Sequence, residues 1–568
     1  MATQTGTLRP VRQLPVRSAL RLNRPAAGWH RQALSAVVAL GIADLLLLAL
    51  GRLDLALYTS AGGLCALYAH GLPYAARART LGWVVLGMAA SVGIALGTAA
   101  ATDSTVVRVA VAALLAAAHK TVCDATRIGP PANLIPTFIA ASCVFVPQRM
   151  GEVPAHLALT LATGALAWLV CMAPGLVRPQ GPQRHAVARA LDAAAAQGAP
   201  PAARTASAAA AWRTVLLVPT RTAAATADRG RLELLLVRAG SGTADPRELR
   251  RWARALRRKG PLPDLAPTGA EAAELAGAEA GELAGLHGER PGGVRLHRSA
   301  PSAGGTRRLP AALRPGSPLL TAGARVALGC ALAGWASMEL GVGRPYWAVV
   351  TAASVFQAST TLSWNRALNR VLGNVIGLLL FAVLLPVTRI GALALVLAAL
   401  ACQFGAEATI SRGYWLGTVF VTPMALLMVQ FAQVQPAGQL VADRALDTVV
   451  GAAVGIASCL LITDRRVSDR AEQALAAVAA TRAEAARLLD APAAGVSGHE
   501  LGWARDRLVN ALVELRETAE AARGEWRQRA VPEERIAEAE RQGHPVLAEL
   551  SRRLDPALAV RAVPPVAA

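Results

Sequence analysis

The chain has 568 residues, 54% of them hydrophobic and only 17% charged, with a mean hydropathy of +0.39. A soluble globular chain carries roughly 25% charge, so this composition points to a membrane protein. The formal net charge of +21 would suit a nucleic-acid binder, but few of the basic residues fall inside the oily stretches. Aromatic residues make up 4% of the chain, which leaves base-stacking platforms sparse, and no nucleic-acid partner is expected.

A basic tail, 1–32, comes first and holds Arg9, Arg12, Arg17, Arg21, Arg24 and Arg31. The apolar run from Leu34 reads as a first membrane helix. The tail is long for a signal peptide, no clean cleavage site follows, and another span begins after the short loop Gly51–Leu53. The first oily block, 33–175, predicts six spans near 33–50, 54–70, 81–100, 105–119, 131–148 and 154–174. Long apolar runs without strand-length alternation are helices and not barrel strands. A middle region, 176–317, is bounded by loops rich in Pro, Gly and Arg, with helices expected at Glu248–Arg258 and Glu271–Leu283. Its basic residues outnumber its acids, which suits either an anionic leaflet or a solvated linker domain. A second block, 318–463, predicts six more spans near 320–338, 345–362, 371–387, 389–404, 414–432 and 445–463. The final region, 464–568, is Ala-rich with mixed charge. Helices at Arg470–Leu489 and Leu501–Glu525 would form a cytoplasmic bundle, with a homo-oligomer contact as one use for it.

The expected fold is therefore an all-α polytopic membrane protein made of two parallel six-helix transmembrane repeats with cytoplasmic helical regions. Loop charge supports one orientation. With the N-terminus inside, Arg77, Arg79, Lys120, Arg127, Arg366, Arg370, Arg412 and Arg465 lie inside, against Arg52, Arg108, Arg149, Arg344, Arg389 and Arg444 outside. Both termini are then cytoplasmic. Repetition shows in detail: Gly51-Arg52 matches Gly343-Arg344, Arg79-Thr80-Leu81-Gly82 matches Arg370-Val371-Leu372-Gly373, and Thr160 matches Thr448. Equal span number and orientation place the repeat axis along the membrane normal.

Seven scattered cysteines form no CxxC pair, and no GxxxxGK[ST] or HExxH segment occurs. No enzyme activity, cofactor or metal is expected, and transport energy would come from a proton gradient or the membrane potential. His119 reads as an isolated loop or interface residue.

Several constellations remain. Tyr346 and Trp347, after Gly343-Arg344-Pro345, suit either a headgroup boundary or a gate that stacks on substrate. Arg366 and Arg370 share a helical face, and Gly373 and Gly377 below them allow a second helix to approach closely. The pair fits an anion route or positive-inside anchoring. Asp443, Arg444, Asp447 and Thr448 open the last span with Gly451 and Gly455 beneath them, suggesting an ion pair or a protonation switch. Asp44, inside the first span, is either a proton carrier or a residue facing the bundle interior. Glu407 and Arg412 would border an inner vestibule.

Trp347, Thr351, Arg370, Gly373 and Gly377 together resemble the pattern of the fusaric acid resistance protein-like (FUSC) family, also described as aromatic acid exporters and related to plant aluminium-activated malate channels. Asn374 stands where that pattern usually has Thr. In the first half Arg79 and Gly82 match, but Trp83 replaces the Thr and Gly87 is one place late. The resemblance implies a bacterial inner-membrane efflux protein for organic, often aromatic, acid anions. Trp347, Thr351, Arg366, Arg370 and Asn374 would line the substrate path, with Asp44, Asp443, Arg444 and Asp447 as ion-pair or coupling groups. A passive organic-anion channel and a membrane-anchored scaffold are the alternatives. The expected partners are the anion, membrane lipids and further copies of the chain.

Overall fold

An apolar run that must leave water satisfies its backbone internally, and the helix does so within one segment. The computed structural model describes residues 22, 28–129, 131–196, 201–219, 222–241, 245–258, 260–263, 314, 317–357, 360–432, 436–461, 467–491, 498–523 and 533–554. The first block gives α1 (Trp29–Ala49), α2 (Ala56–Gly63), α3 (Tyr74–Ala101), α4 (Thr105–Thr126), α5 (Leu134–Val144), α6 (Val153–Met172) and the one-turn α7 (Pro174–Val177). The middle region gives α8 (Gly181–Ala195), α9 (Pro201–Leu216), α10 (Ala223–Ser241) and α11 (Pro246–Arg257). The second block gives α12 (Pro318–Glu339), α13 (Tyr346–Val355), α14 (Thr360–Thr388), α15 (Ala392–Ile410), α16 (Tyr414–Ala432) and α17 (Ala437–Leu461). The last region gives α18 (Val467–Asp490), α19 (Gly498–Arg523) and α20 (Glu533–Leu554). The expected helix at Glu271–Leu283 and the tail arginines Arg9 to Arg24 lie outside the described residues.

The protein is an all-α polytopic membrane protein. Among the described residues nine helices are long and apolar enough to cross a membrane, and no strand occurs. The spans expected at 54–70, 131–148 and 345–362 are shorter apolar helices. At 11 and 10 residues, α5 and α13 rise only about 15–17 Å, roughly half of a ~30 Å hydrocarbon core. Hydropathy cannot separate a spanning helix from a short helix wrapped in protein, and α13 is buried at every position. Its C-terminal carbonyls are not left bare: the Gln357 amide donates to Ser354 O and Phe356 O, at 3.1 Å each. In the first block, Arg77 donates to Ala69 O, His70 O and Cys171 O. Irregular backbone at membrane depth is tolerated where protein encloses it in this way.

Helix packing follows one scheme in both blocks. The short second helix packs on the sixth (α2 on α6, α13 on α17), and the third packs on the fifth and sixth (α3 on α5 and α6, α14 on α16 and α17). Between blocks, α4 packs on α12 and α1 on α15, so each block offers its first helix to the other's fourth. α1 and α12 also end alike. Gly51 and Gly341 take left-handed conformations, φ 66° and 70°. Arg52 N then donates to Leu47 O, and Val342 N to Ser337 O, the turn that satisfies a helix's last carbonyls. This sets Gly51 against Gly341, two residues from the Gly51/Gly343 match read from sequence.

On α14, Val375, Leu379 and Val383 are exposed at one-turn spacing while Arg370 and Asn374 are buried. That is the arrangement expected where lipid, not water, surrounds the bundle.

The middle and last regions share one hydrophobic core, in which Leu235, Leu236 and Trp252 join Leu508, Leu512 and Leu550. α11 shows how the sequence builds it. Asp245 caps the N-terminus by accepting from Arg247 N at 2.9 Å, Pro246 occupies the first turn, and Leu249, Trp252, Ala253 and Leu256 face inward. A buried ion cluster ties the regions together: Arg505 Nη1 meets Glu233 Oε2 and Arg229 Nε meets Glu233 Oε1, each at 2.8 Å, with Asp506 also on Arg505. Against the desolvation that burial imposes, Glu233 and Asp506 raise the Arg505 pKa above its usual value.

Candidate functional site

The polar side chains of the second block line up where α13, α14, α16 and α17 meet. Arg366, Arg370 and Asn374 recur every fourth residue and so share one face of α14. Tyr414, Thr418 and Thr422 do the same on α16. Close approach of the two helices is set by glycine. A Cβ at Gly373 would fall 2.4 Å from Trp415 O and 2.6 Å from Thr418 Cβ, and one at Gly377 would fall 2.7 Å from Thr422 Cβ. On α17, a Cβ at Gly451 would fall 2.6 Å from Ala348 O and 2.7 Å from Thr351 Cβ of α13, and Gly455 lies against Ala352 and Val355.

Asn374 is the hub. Its amide donates to Arg444 O at 3.3 Å and to Thr448 Oγ1, and its carbonyl oxygen accepts from Thr422 Oγ1 at 2.6 Å and Arg444 Nε at 3.3 Å. Arg444 is 1% exposed, and its guanidinium lies over the Trp347 ring at 4.8 Å, an attractive arrangement. Arg344 reaches the same ring at 5.6 Å. Asp447, fully buried, accepts from Ser337 of α12. Among the described residues no ion pair within 4 Å joins Arg444 to Asp447, and Arg444 Nη1 and Asp447 Oδ2 have no hydrogen-bond partner. Arg370 Nη1 donates to Tyr414 Oη at 3.1 Å, and Arg366 lies 3.5 Å above the Tyr414 ring.

The column thus brings together Trp347, Thr351, Arg366, Arg370, Asn374, Arg444 and Asp447. Asp443 lies beside Gly343, at one end of it. Asp44 lies outside it: the residue is 4% exposed on α1, a helix that packs on α2, α6 and α15. Trp347 is 1% exposed and so faces protein, not a headgroup boundary. Glu407 accepts from Gln403 Nε2 at 3.4 Å, and Arg412 is exposed.

Sequence reasoning passed over Tyr414, Ser337 and Thr422. The fourfold spacing of Tyr414, Thr418 and Thr422 was the available signal. It also read His119 as isolated, whereas that ring bridges three helices, 2.7 Å from Ser91 Oγ and 3.2 Å from Thr137 Oγ1. In the first block Arg79 is exposed and nothing lies within 4 Å of a Cβ at Gly82 or Gly87. Among the described residues no group of three or more His, Cys, Asp or Glu is placed to hold a metal.

Buried cations thus outnumber acids in the column of a polytopic membrane protein, which suits a binding place for an anion. A comparison with known protein families falls on the same half of the chain. The fusaric acid resistance protein-like family model matches residues 328–458, which span α12 to α17. A membrane protein of Bacillus subtilis (strain 168), the uncharacterized membrane protein YvaC, is 31% identical over 137 residues, 24% of this chain and 21% of that one. The chain therefore spans about a fifth of the length of the curated relative it matches. No solved structure matches.

Proposed function

We propose that the protein is a transporter of the bacterial cytoplasmic (inner) membrane that exports organic, often aromatic, acid anions through the polar column of its second block. The observation that carries this reading is Arg444 stacked on Trp347 inside the bundle, with Arg370 and Arg366 on the same side of α14. A guanidinium pairs with a carboxylate in a fixed fork, and the adjacent indole offers a face to a ring. The family match is consistent with a transport role. Glycines that clamp α14 to α16 and α13 to α17 fix the column's width, and Asp447 and Asp44 are the acids available for coupling to protons.

The reading extends to architecture: two parallel six-helix repeats, with both termini and the polar helical domain in the cytoplasm. Its support is the recurrent packing scheme, the reciprocal contacts of first and fourth helices between blocks, and the shared turn at Gly51 and Gly341.

The test is flux. Full-length protein in proteoliposomes is loaded with labelled aromatic or aliphatic carboxylates, and Arg370→Gln and Arg444→Gln are compared with the parent at matched reconstitution. Loss of flux in both variants is expected. Unchanged flux at every concentration leaves the arginines as packing and topology elements and ends this reading. Voltage-driven current in a planar bilayer without a proton requirement would replace the exporter by a passive channel. Absence of flux for all solutes would favour a scaffold.

A further inference from the structure

A second basic site lies away from the column, where the first block meets the polar helical domain. A cavity of about 360 Å³ is lined by Val177, Arg178, Gln180, Arg184, Arg257 and Arg258, among others. Its rim begins at the end of the candidate membrane span Met150–Val177. Leu176 is 90% exposed there and Val177 65%, so two apolar side chains stand uncovered beside a ring of cations. Arg31, near the start of α1, donates to His185 Nε2 at 2.9 Å across from α8, so a second span end lies at the same level.

The electrostatics favour an anion. Among the described residues six arginines gather here: Arg31, Arg178, Arg184, Arg189, Arg257 and Arg258. Asp192, paired to Arg257, and Asp228, which accepts from Gln180, oppose them. Arg184 is fixed by Gln180 Oε1 at 3.0 Å and Gly260 O at 2.6 Å. Arg178 and Arg258 are exposed and make no ion pair among the described residues. Burial first, then the charges of Arg31, Arg257, Arg178 and Arg189, push the His185 pKa down to about 4.

We infer that this cavity binds the phosphate headgroup of an anionic phospholipid from the adjoining leaflet, its acyl chains lying along Leu176 and Val177. A soluble phosphate would find the same arginines but has no use for the two uncovered apolar side chains at the span's end. Basic residues at a membrane surface attract anionic lipid by roughly 1 kcal/mol each, so two of them carry about a 30-fold preference.

The experiment is native mass spectrometry of the full-length protein in detergent. It is titrated with phosphatidylglycerol, with phosphatidylcholine of the same chains, and with inorganic phosphate as competitor. Preferential retention of phosphatidylglycerol is expected, weakened about 30-fold by Arg178→Gln with Arg258→Gln and weakened by rising salt. Arg535→Gln with Arg541→Gln, on exposed arginines of α20, should leave binding intact. Leu176→Ser with Val177→Ser should weaken lipid binding and leave any phosphate binding unchanged. Equal retention of the two lipids, undiminished binding in the Arg178/Arg258 variant, or displacement of the lipid by inorganic phosphate at equal affinity would each overturn the inference. The unfolding temperature of the Arg178/Arg258 variant should match the parent. If it falls, Arg178→Lys with Arg258→Lys keeps the charge and must keep the lipid.

Discussion

Replacing Asn374 by Asp separates a guanidinium that waits for substrate from one that merely packs. In the native chain the Asn374 carbonyl oxygen lies 3.3 Å from Arg444 Nε and carries no charge. A carboxylate at that position would sit at the same distance from the cation. At an effective dielectric of 20, two unit charges 3.3 Å apart attract by about 5 kcal/mol, and desolvation offsets part of this. Retaining half would lower the affinity of Arg444 for an incoming carboxylate on the order of a hundredfold. The new side chain still accepts from Thr422 and Arg444 but loses the amide that donates to Arg444 O and Thr448 Oγ1, so the flux comparison is made on protein whose unfolding temperature matches the parent. The assay is efflux of a labelled aromatic carboxylate from proteoliposomes at pH 8, alongside the unfolding temperature. Asn374→Leu is the contrasting variant: it strips Arg444 Nε of its acceptor and should destabilise by about 1–3 kcal/mol or more. Parent-level flux from a well-folded Asn374→Asp protein would refute a substrate role for Arg444.

Other expectations concern packing and stability. Gly373→Val forces a side chain into Trp415 O and Thr418 and should lower stability by about 1–3 kcal/mol, while Gly82→Val, with open space around its Cβ, should change the unfolding temperature little. Arg505→Met leaves Glu233 and Asp506 without their shared buried cation and should cost about 3–5 kcal/mol in denaturant unfolding. His185 titrates lower folded than unfolded, so the unfolded chain binds the extra proton and stability falls as the pH drops from about 6.5 toward about 4. Thermal melts across that range should show the slope, and His185→Gln should flatten it. For topology, cysteines placed at 340–344 should label from outside intact cells and those at 408–412 should not. Labelling of both loops from outside would overturn the proposed orientation.

Much of the membrane architecture was legible because lipid exposure needs only an oily surface, which composition reports directly. The nine long helices fall where apolar runs were read, and the glycine spacing at 373 and 377 already pointed to a close helix. What stayed hidden depends on partners distant in sequence. The shared core of α8–α11 and α18–α20 joins Leu235 to Leu508, and no local pattern states that two amphipathic regions face each other. The break after Gly63 was hidden because the apolar run continues through it while the backbone tightens into a single turn at Leu64–Leu67. Trp347 looked like a boundary residue because an indole suits both a headgroup layer and an enclosed cation, and only burial decides between them. Arg79 was chosen over Arg77 by its distance from Gly82. Yet Arg77 is the buried one: its donors reach two carbonyls past the broken helix, Ala69 O and His70 O, and Cys171 O near the end of α6.

That last detail bears on why one column, and not two, is proposed. Both blocks hold a short buried helix tightly against their sixth: a Cβ at Gly62 would fall 2.2 Å from Thr160 O, much as one at Gly451 would crowd Ala348. The blocks diverge on the third helix. α14 presents Arg370, Asn374 and Gly373 to its neighbours, whereas α3 leaves Gly82 open and Trp83 62% exposed. Its buried arginine is already bonded to backbone carbonyls and has fewer donors left for a carboxylate. Polar bridges in the first block, such as Ser91–His119–Thr137 and Tyr58–Gln148–His156, hold no fixed cation. Among the described residues of the first block no guanidinium stacks on a buried indole as Arg444 does on Trp347. The asymmetry fits the proposal that the second block carries the anion site and the first block supports it.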